Sequence, residues 1–161
     1  MSKRRVIIHV SDAKISNDPE DVLITYSLGS CIGVCLYDPV LHLGGLLHYQ
    51  LPDSRLDPAK AQDHPFMFAD TGMRLLVDKL LSLGADRRRL QVKIAGGATM
   101  SGSPQGFDIG KRNHLAIRKI TWQDRLFINS EEVGGSTART LYLDMASGEV
   151  TIKSDGEVMA L

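Results

Sequence analysis

The sequence predicts an α+β fold, a layered α/β sandwich in which two main helices cover a mostly antiparallel sheet. Three observations predict it. Short β-like segments follow one another between residues 22 and 51, with connections too brief for crossover helices. Two well-separated stretches, residues 65–83 and 111–121, switch to helical spacing. The other apolar runs have strand length and end at Gly, Pro, Asn or Asp.

Taken in order, residues 6–10 read as a short apolar strand, and residues 11–21 as a polar connection with Asn17-Asp18-Pro19 as its turn. Residues 22–26, 32–37 and 44–51 read as three strands, the second ended by Asp38-Pro39 and the third by Pro52-Asp53-Ser54. In residues 65–83, Met67, Leu75, Leu76, Leu80 and Leu83 can share one helical face, with Pro65 near the start and Gly84 just past the end. Residues 90–95 form a further strand running into Gly96-Gly97, and a loop is expected over residues 99–106. After the helix at 111–121 come strands at 126–129, 140–144 and 149–153, the last two joined by the hairpin loop Met145-Ala146-Ser147-Gly148. No repeat or low-complexity tract divides the chain, so residues 1–161 are expected to form one domain.

Nineteen basic residues balance nineteen acidic ones, which argues against a protein that works by neutralising phosphates and hence against nucleic-acid binding. The basic clusters Lys3-Arg4-Arg5 and Arg87-Arg88-Arg89 read as a solvated terminus and a solvated loop. No apolar run approaches the ~20 residues needed to span a bilayer, and Val6-Ile7-Ile8 is too short for a signal peptide, so a cytoplasmic location without membrane insertion is expected. The cysteines are Cys31 and Cys35. Four residues along a strand cover roughly 13 Å, and a disulfide needs Cα atoms within about 7 Å, so the two are expected to be free.

Gly29-Ser30-Cys31 stands where a loop enters a strand. Gly29 can take backbone angles closed to other residues, and a thiol on such a turn lies near backbone N–H groups able to hold an oxyanion. A free cysteine is also a good small core residue. That second reading suits Cys35, inside the strand; for Cys31 both stand open. A thiol nucleophile needs a base, usually histidine. His48 is the candidate, because it interrupts the apolar run Gly45-Leu46-Leu47-His48-Tyr49 and meets Cys31 if the two strands pair. His9, His42, His64 and His114 fall at edges, loops or a helix surface and read as solvated. A third residue should orient the imidazole. Thr25 can do so, although a strand needs no other reason to contain threonine. A zinc site from Cys31, Cys35, His42 and His48 fails on spacing, and residues 106–111 do not make a phosphate loop.

Thr25-Tyr26-Ser27-Leu28-Gly29-Ser30-Cys31-Ile32-Gly33-Val34, Gly44-Gly45-Leu46-Leu47-His48 and Leu51-Pro52-Asp53-Ser54 resemble the CheD family of chemoreceptor glutamine deamidases. Lys93-Ile94-Ala95-Gly96-Gly97-Ala98-Thr99-Met100, Ile109-Gly110-Lys111-Arg112-Asn113, and Val133-Gly134-Gly135 with Arg139 extend the likeness over nearly the whole chain. Ala95 departs from it, standing where a bulkier residue is common. The resemblance implies a catalytic cysteine, histidine and threonine at Cys31, His48 and Thr25, with Gly29 and Ser30 forming the oxyanion turn. It implies a sandwich similar to the catalytic domain of cytotoxic necrotizing factor toxins, and conversion of glutamines to glutamates on the cytoplasmic helices of methyl-accepting chemotaxis receptors. A CheC-like phosphatase is a further implied partner, and no cofactor or metal is implied. The rival expectation is a non-enzymatic module that binds a phosphatase or receptor.

Overall fold

A computed structural model describes residues 3–100 and 108–161; most of the loop expected over residues 99–106 lies outside them. The fold is α+β, but it contains two sheets rather than one. The first has the order β1-β3-β8-β9-β10, built from β1 (Arg4–Ile7), β3 (Asp21–Leu28), β8 (Arg139–Asp144), β9 (Val150–Ser154) and β10 (Glu157–Ala160). The second has the order β2-β5-β4-β6-β7, built from β2 (Asp12–Ser16), β5 (Leu43–Tyr49), β4 (Ile32–Asp38), β6 (Gln91–Gly96) and β7 (Ile128–Val133). Each sheet is mixed: β1 pairs with β3 in parallel, as does β6 with β7, and the other pairings are antiparallel.

The helices are α1 (Pro58–Asp63), α2 (Ala69–Ser82) and α3 (Ile109–Gln123). The helix expected over residues 65–83 is broken at its start. Residues Pro65–Met67 form a 3-10 turn, and extended Phe68 bridges Leu51 before α2 begins. The buried face of α2 is Ala69, Gly72, Met73, Leu76, Val77 and Leu80, whereas Leu75 and Leu83, assigned to that face from spacing, are exposed. Three short elements were not expected: β2, within the polar connection, α1, and β10. β2 and α1 have little apolar content and β10 lies exposed at a sheet edge, so tertiary contacts rather than propensity make them.

Two cores follow from the layering. One lies between the second sheet and helices α2 and α3, with Ile32, Val34, Leu36, Leu47, Tyr49, Met73, Leu80 and Ile117. The other lies between the sheets, with Leu23, Leu28, Cys35, Leu46, Leu141 and Ile152. Strand β4 is buried along its whole length because it has a core on each face. Both cysteines are free.

The Arg87–Arg89 cluster is not simply solvated. Asp38, at the end of β4, is buried, and Arg89 meets its two oxygens at 2.8 and 3.0 Å while the Asp86 N–H donates at 3.0 Å. Burial raises the carboxyl pKa, but these donors outweigh it and hold Asp38 at about 2. Arg87 donates to the Asp124 carbonyl at 2.8 Å. Removing the guanidinium strands a buried carboxylate. Arg89→Met is predicted to lower unfolding free energy by about 3 kcal/mol near neutral pH, measured by urea denaturation; an unchanged midpoint would refute this account of Asp38.

Candidate functional site

The β4–β5 register sets Gly33 opposite His48 and Cys35 opposite Leu46. Directly opposed residues project from the same face, and that face is the one turned to the first sheet, since Cys35 and Leu46 lie in the inter-sheet core. Cys31, two residues before Gly33, packs against the same core. Thiol and imidazole therefore share one face of the sheet as diagonal neighbours on paired chains. No hydrogen bond joins Cys31 Sγ to the ring, and among the described residues His48 Nε2 is buried without a partner.

Thr25 reaches the ring from the other sheet. Gly33 makes room for it: a Cβ there would stand 2.8 Å from Leu141 Cδ2, 3.0 Å from Leu28 Cδ1 and 3.5 Å from Thr25 Cγ2. Across this notch, Thr25 Oγ1 lies 2.7 Å from His48 Nδ1. The same hydroxyl donates its single hydrogen to the Ile8 carbonyl at 2.8 Å, so toward the ring it can only accept. Nδ1 therefore carries the proton and Nε2 presents its lone pair. Asp12 stands opposite His48 across the β2–β5 pair, but its Oδ1 takes the Ala13 N–H at 2.8 Å.

Burial pushes the Cys31 thiol up to about 11, partly offset by its own N–H. Burial also lowers the His48 imidazolium to about 4. Both groups are thus neutral near neutral pH, a protonated thiol and an unprotonated ring nitrogen on the same face of the sheet. That pairing can pass a proton from sulfur to Nε2 once an electrophile is at hand.

The turn carrying Cys31 is held by its carbonyls. Ala98 N–H donates to the Gly29 carbonyl at 2.8 Å and Gly97 N–H to the Cys31 carbonyl at 2.9 Å. Gly96 must be glycine here, with φ +112° and a hypothetical Cβ only 2.2 Å from the Cys31 oxygen. Arg139, read from sequence only as part of a glycine motif, donates to the Gly96 and Gly134 carbonyls at 3.2 and 2.7 Å and steadies this loop. The expectation for Gly29 needs correction. Its φ is not positive; the left-handed residue is Ser27, with φ +57°, where the β3–β8 register breaks between Thr25 and Leu28. A Cβ on Gly29 would stand 3.2 Å from Met100 Cγ, a tight contact with a flexible side chain. Among the described residues, neither the Ser30 nor the Cys31 N–H donates a backbone hydrogen bond to another residue.

The other histidines lie apart from this cluster. His9 and His64 are exposed and His42 contacts the Tyr37 hydroxyl at 2.9 Å. His114, expected to be solvated, is half-buried 3.2 Å from Glu131. Cys35 is fully enclosed in the core.

The lowered His48 pKa has a consequence for stability. Above pH ~6.5 the ring is neutral whether the chain is folded or unfolded. Below that, the unfolded chain takes up a proton that the folded one refuses until about pH 4. Stability is predicted to be complete above pH ~6.5 and to decline as pH falls toward 4, by at most on the order of 3 kcal/mol from this group. Denaturant titrations at a series of pH values should show a flatter profile for His48→Gln; an identical slope would sink the assignment.

The family model described as CheD chemotactic sensory transduction matches residues 50–154. A protein of Solibacter usitatus named as a probable chemoreceptor glutamine deamidase CheD is 48% identical over 153 residues, covering 95% of this chain and 90% of that relative. Relatives of the same description from Syntrophus aciditrophicus and Clostridium tetani are 47% and 40% identical, each covering 94% of the relative and 94% and 97% of this chain. The family match begins beyond Cys31 and His48, but these alignments take in nearly the whole chain, and together they show that it belongs to the CheD family.

Proposed function

We propose that this chain is a protein-glutamine deamidase that acts on chemotaxis receptors, with Cys31 as nucleophile, His48 as general base and acid, and Thr25 orienting the ring. The carrying observation is the imidazole itself: Thr25 binds Nδ1, and Nε2 is left without a partner on the face it shares with the thiol. The names of the relatives supply the reaction class and substrate. Residues 1–161 act in this reading as one deamidase domain, with the sandwich of cytotoxic necrotizing factor toxins as its counterpart. It works in the cytoplasm on the helices of methyl-accepting receptors, with a CheC-like phosphatase as a further partner. Among the described residues no helix is long and apolar enough to cross a membrane.

The chemistry follows from two neutral groups. When a glutamine side chain enters, the Cys31 S–H bond breaks, its proton goes to His48 Nε2, and sulfur bonds to the amide carbon. The carbonyl oxygen becomes an oxyanion facing the Ser30 and Cys31 N–H groups. As the intermediate collapses, the C–N bond breaks and the proton on Nε2 leaves with ammonia, giving a thioester. Water then donates a proton to Nε2 while its oxygen bonds to the thioester carbon. Loss of the C–S bond returns that proton to sulfur and releases glutamate. Throughout, Thr25 keeps Nδ1 as the protonated nitrogen, so Nε2 is always the one that shuttles.

Incubation with receptor cytoplasmic fragments, read by mass spectrometry and ammonia release, tests this. Cys31→Ala is predicted to abolish conversion, whereas Cys35→Ala, though less stable, keeps it. Thr25→Val is predicted to lower kcat by about 10²-fold with little change in KM. A wild-type protein that releases no ammonia would leave the non-enzymatic binding module as the surviving reading.

A further inference from the structure

One buried side chain outside the proposed triad holds the Cys31 turn. Asn113, in the second turn of α3, is completely buried. Its Nδ2 donates one hydrogen to the Ser30 carbonyl at 2.9 Å and the other to the Gln50 carbonyl at 2.8 Å. The two acceptors lie on either side of the site, one immediately before Cys31 and one two residues after His48. Two carbonyl oxygens fix the amide's orientation, because the reverse would set oxygen against oxygen. Among the described residues its Oδ1 is buried without a partner, which is unfavourable. The side chain is therefore placed for its two donors and not for a balanced set of hydrogen bonds. The Tyr49 hydroxyl donates to the Asn113 backbone carbonyl at 2.6 Å and anchors the residue to β5.

The direction of these donors matters chemically. Within one trans peptide unit the C=O and N–H point oppositely. Holding the Ser30 oxygen therefore fixes where the Cys31 N–H points. That N–H has no backbone acceptor on another residue among those described, and it already acts on its own sulfur.

We infer that Asn113 is a positioning residue for the oxyanion donor: it locks the Ser30–Cys31 peptide so that the Cys31 N–H faces the oxygen that becomes charged. Its second hydrogen ties the same amide to the end of the strand that carries His48. Other side chains fail on donor count: aspartate has no hydrogen to give, serine has one for two acceptors, and leucine has none. The inference rests on reading Cys31 as a nucleophile, but not on glutamine as its substrate.

Two reactions of the same thiol separate aiming from nucleophilicity. Acylation by p-nitrophenyl acetate passes through an oxyanion; alkylation by iodoacetamide does not. With the full chain, Asn113→Ala is expected to slow Cys31 acylation about tenfold or more, while alkylation, followed on the Cys31 peptide by mass spectrometry, stays within a few-fold of wild type. Asn113→Ser should fall between, and carries the reading if the alanine variant does not fold. Ile117→Val, which trims the core one turn along the same helix, should lower the melting temperature without slowing acylation. Unchanged acylation in the Asn113 variants would overturn the inference. So would acylation and alkylation falling in equal proportion, or Ile117→Val slowing acylation as much. Absence of glutamine deamidation with acylation intact strikes instead at the proposed substrate.

Discussion

The Thr25–His48 hydrogen bond depends on how closely two sheets approach, and the local architecture makes that approach possible. Side chains from two sheets packed face to face interdigitate across ~10 Å, so a threonine hydroxyl on one meets a ring on the other only where that layer leaves a gap. Gly33 supplies the gap. It lies directly opposite His48 in the β4–β5 pair, and the volume its side chain would occupy is taken by Thr25, Leu28 and Leu141 from the facing sheet. Because the Thr25 hydrogen is already given to the Ile8 carbonyl, the contact selects a tautomer as well as an orientation.

Burial then sets the protonation states. The site sits at the rim of the inter-sheet core, so desolvation acts on thiol and imidazole alike and favours the neutral form of each. A preformed thiolate–imidazolium pair would be reactive toward any small electrophile. In the proposed reaction a neutral pair would move its proton only as the new bond forms, which would suit an unreactive carboxamide substrate. The surrounding hydrogen bonds make the geometry rigid: Ala98 and Gly97 N–H groups and the Asn113 amide each take one of the three carbonyls from Gly29 to Cys31. With the carbonyls held, the N–H groups of the same peptides face the other way.

The glycine-rich segments are explained by this scaffold. Gly96 passes so close to the Cys31 carbonyl that no side chain fits, and Arg139 gathers the Gly96 and Gly134 carbonyls. Segments distant in sequence, from β6, β7, β8 and α3, thus converge to hold one short turn before β4. This convergence is a tertiary fact. Arg139 and Asn113 are a charged and a polar residue with no sequence pattern to mark them as buried, and only the carbonyls they meet explain why they are inside.

What the sequence determined by itself was chiefly local. Apolar runs with Gly, Pro and Asp at their ends marked β3, β4, β5, β6, β8 and β9, and the helical period marked the main part of α2 and α3, because backbone periodicity is written in neighbouring residues. The unusual placement of Gly29-Ser30-Cys31 and of His48 inside an apolar strand was visible as well. Thr25 was not, since nothing in a strand separates a functional threonine from an ordinary one; only its likeness to a known family singled it out. The division of the strands between two sheets was decided by tertiary structure, as were the parallel β1–β3 and β6–β7 pairs and the burial of Asp38 beneath Arg89. So was the face of α2 that turns inward. The physical reason is common to all of them: pairing partners and buried polar contacts are chosen across long stretches of chain, by which surfaces can close on one another without leaving a donor, an acceptor or a charge alone.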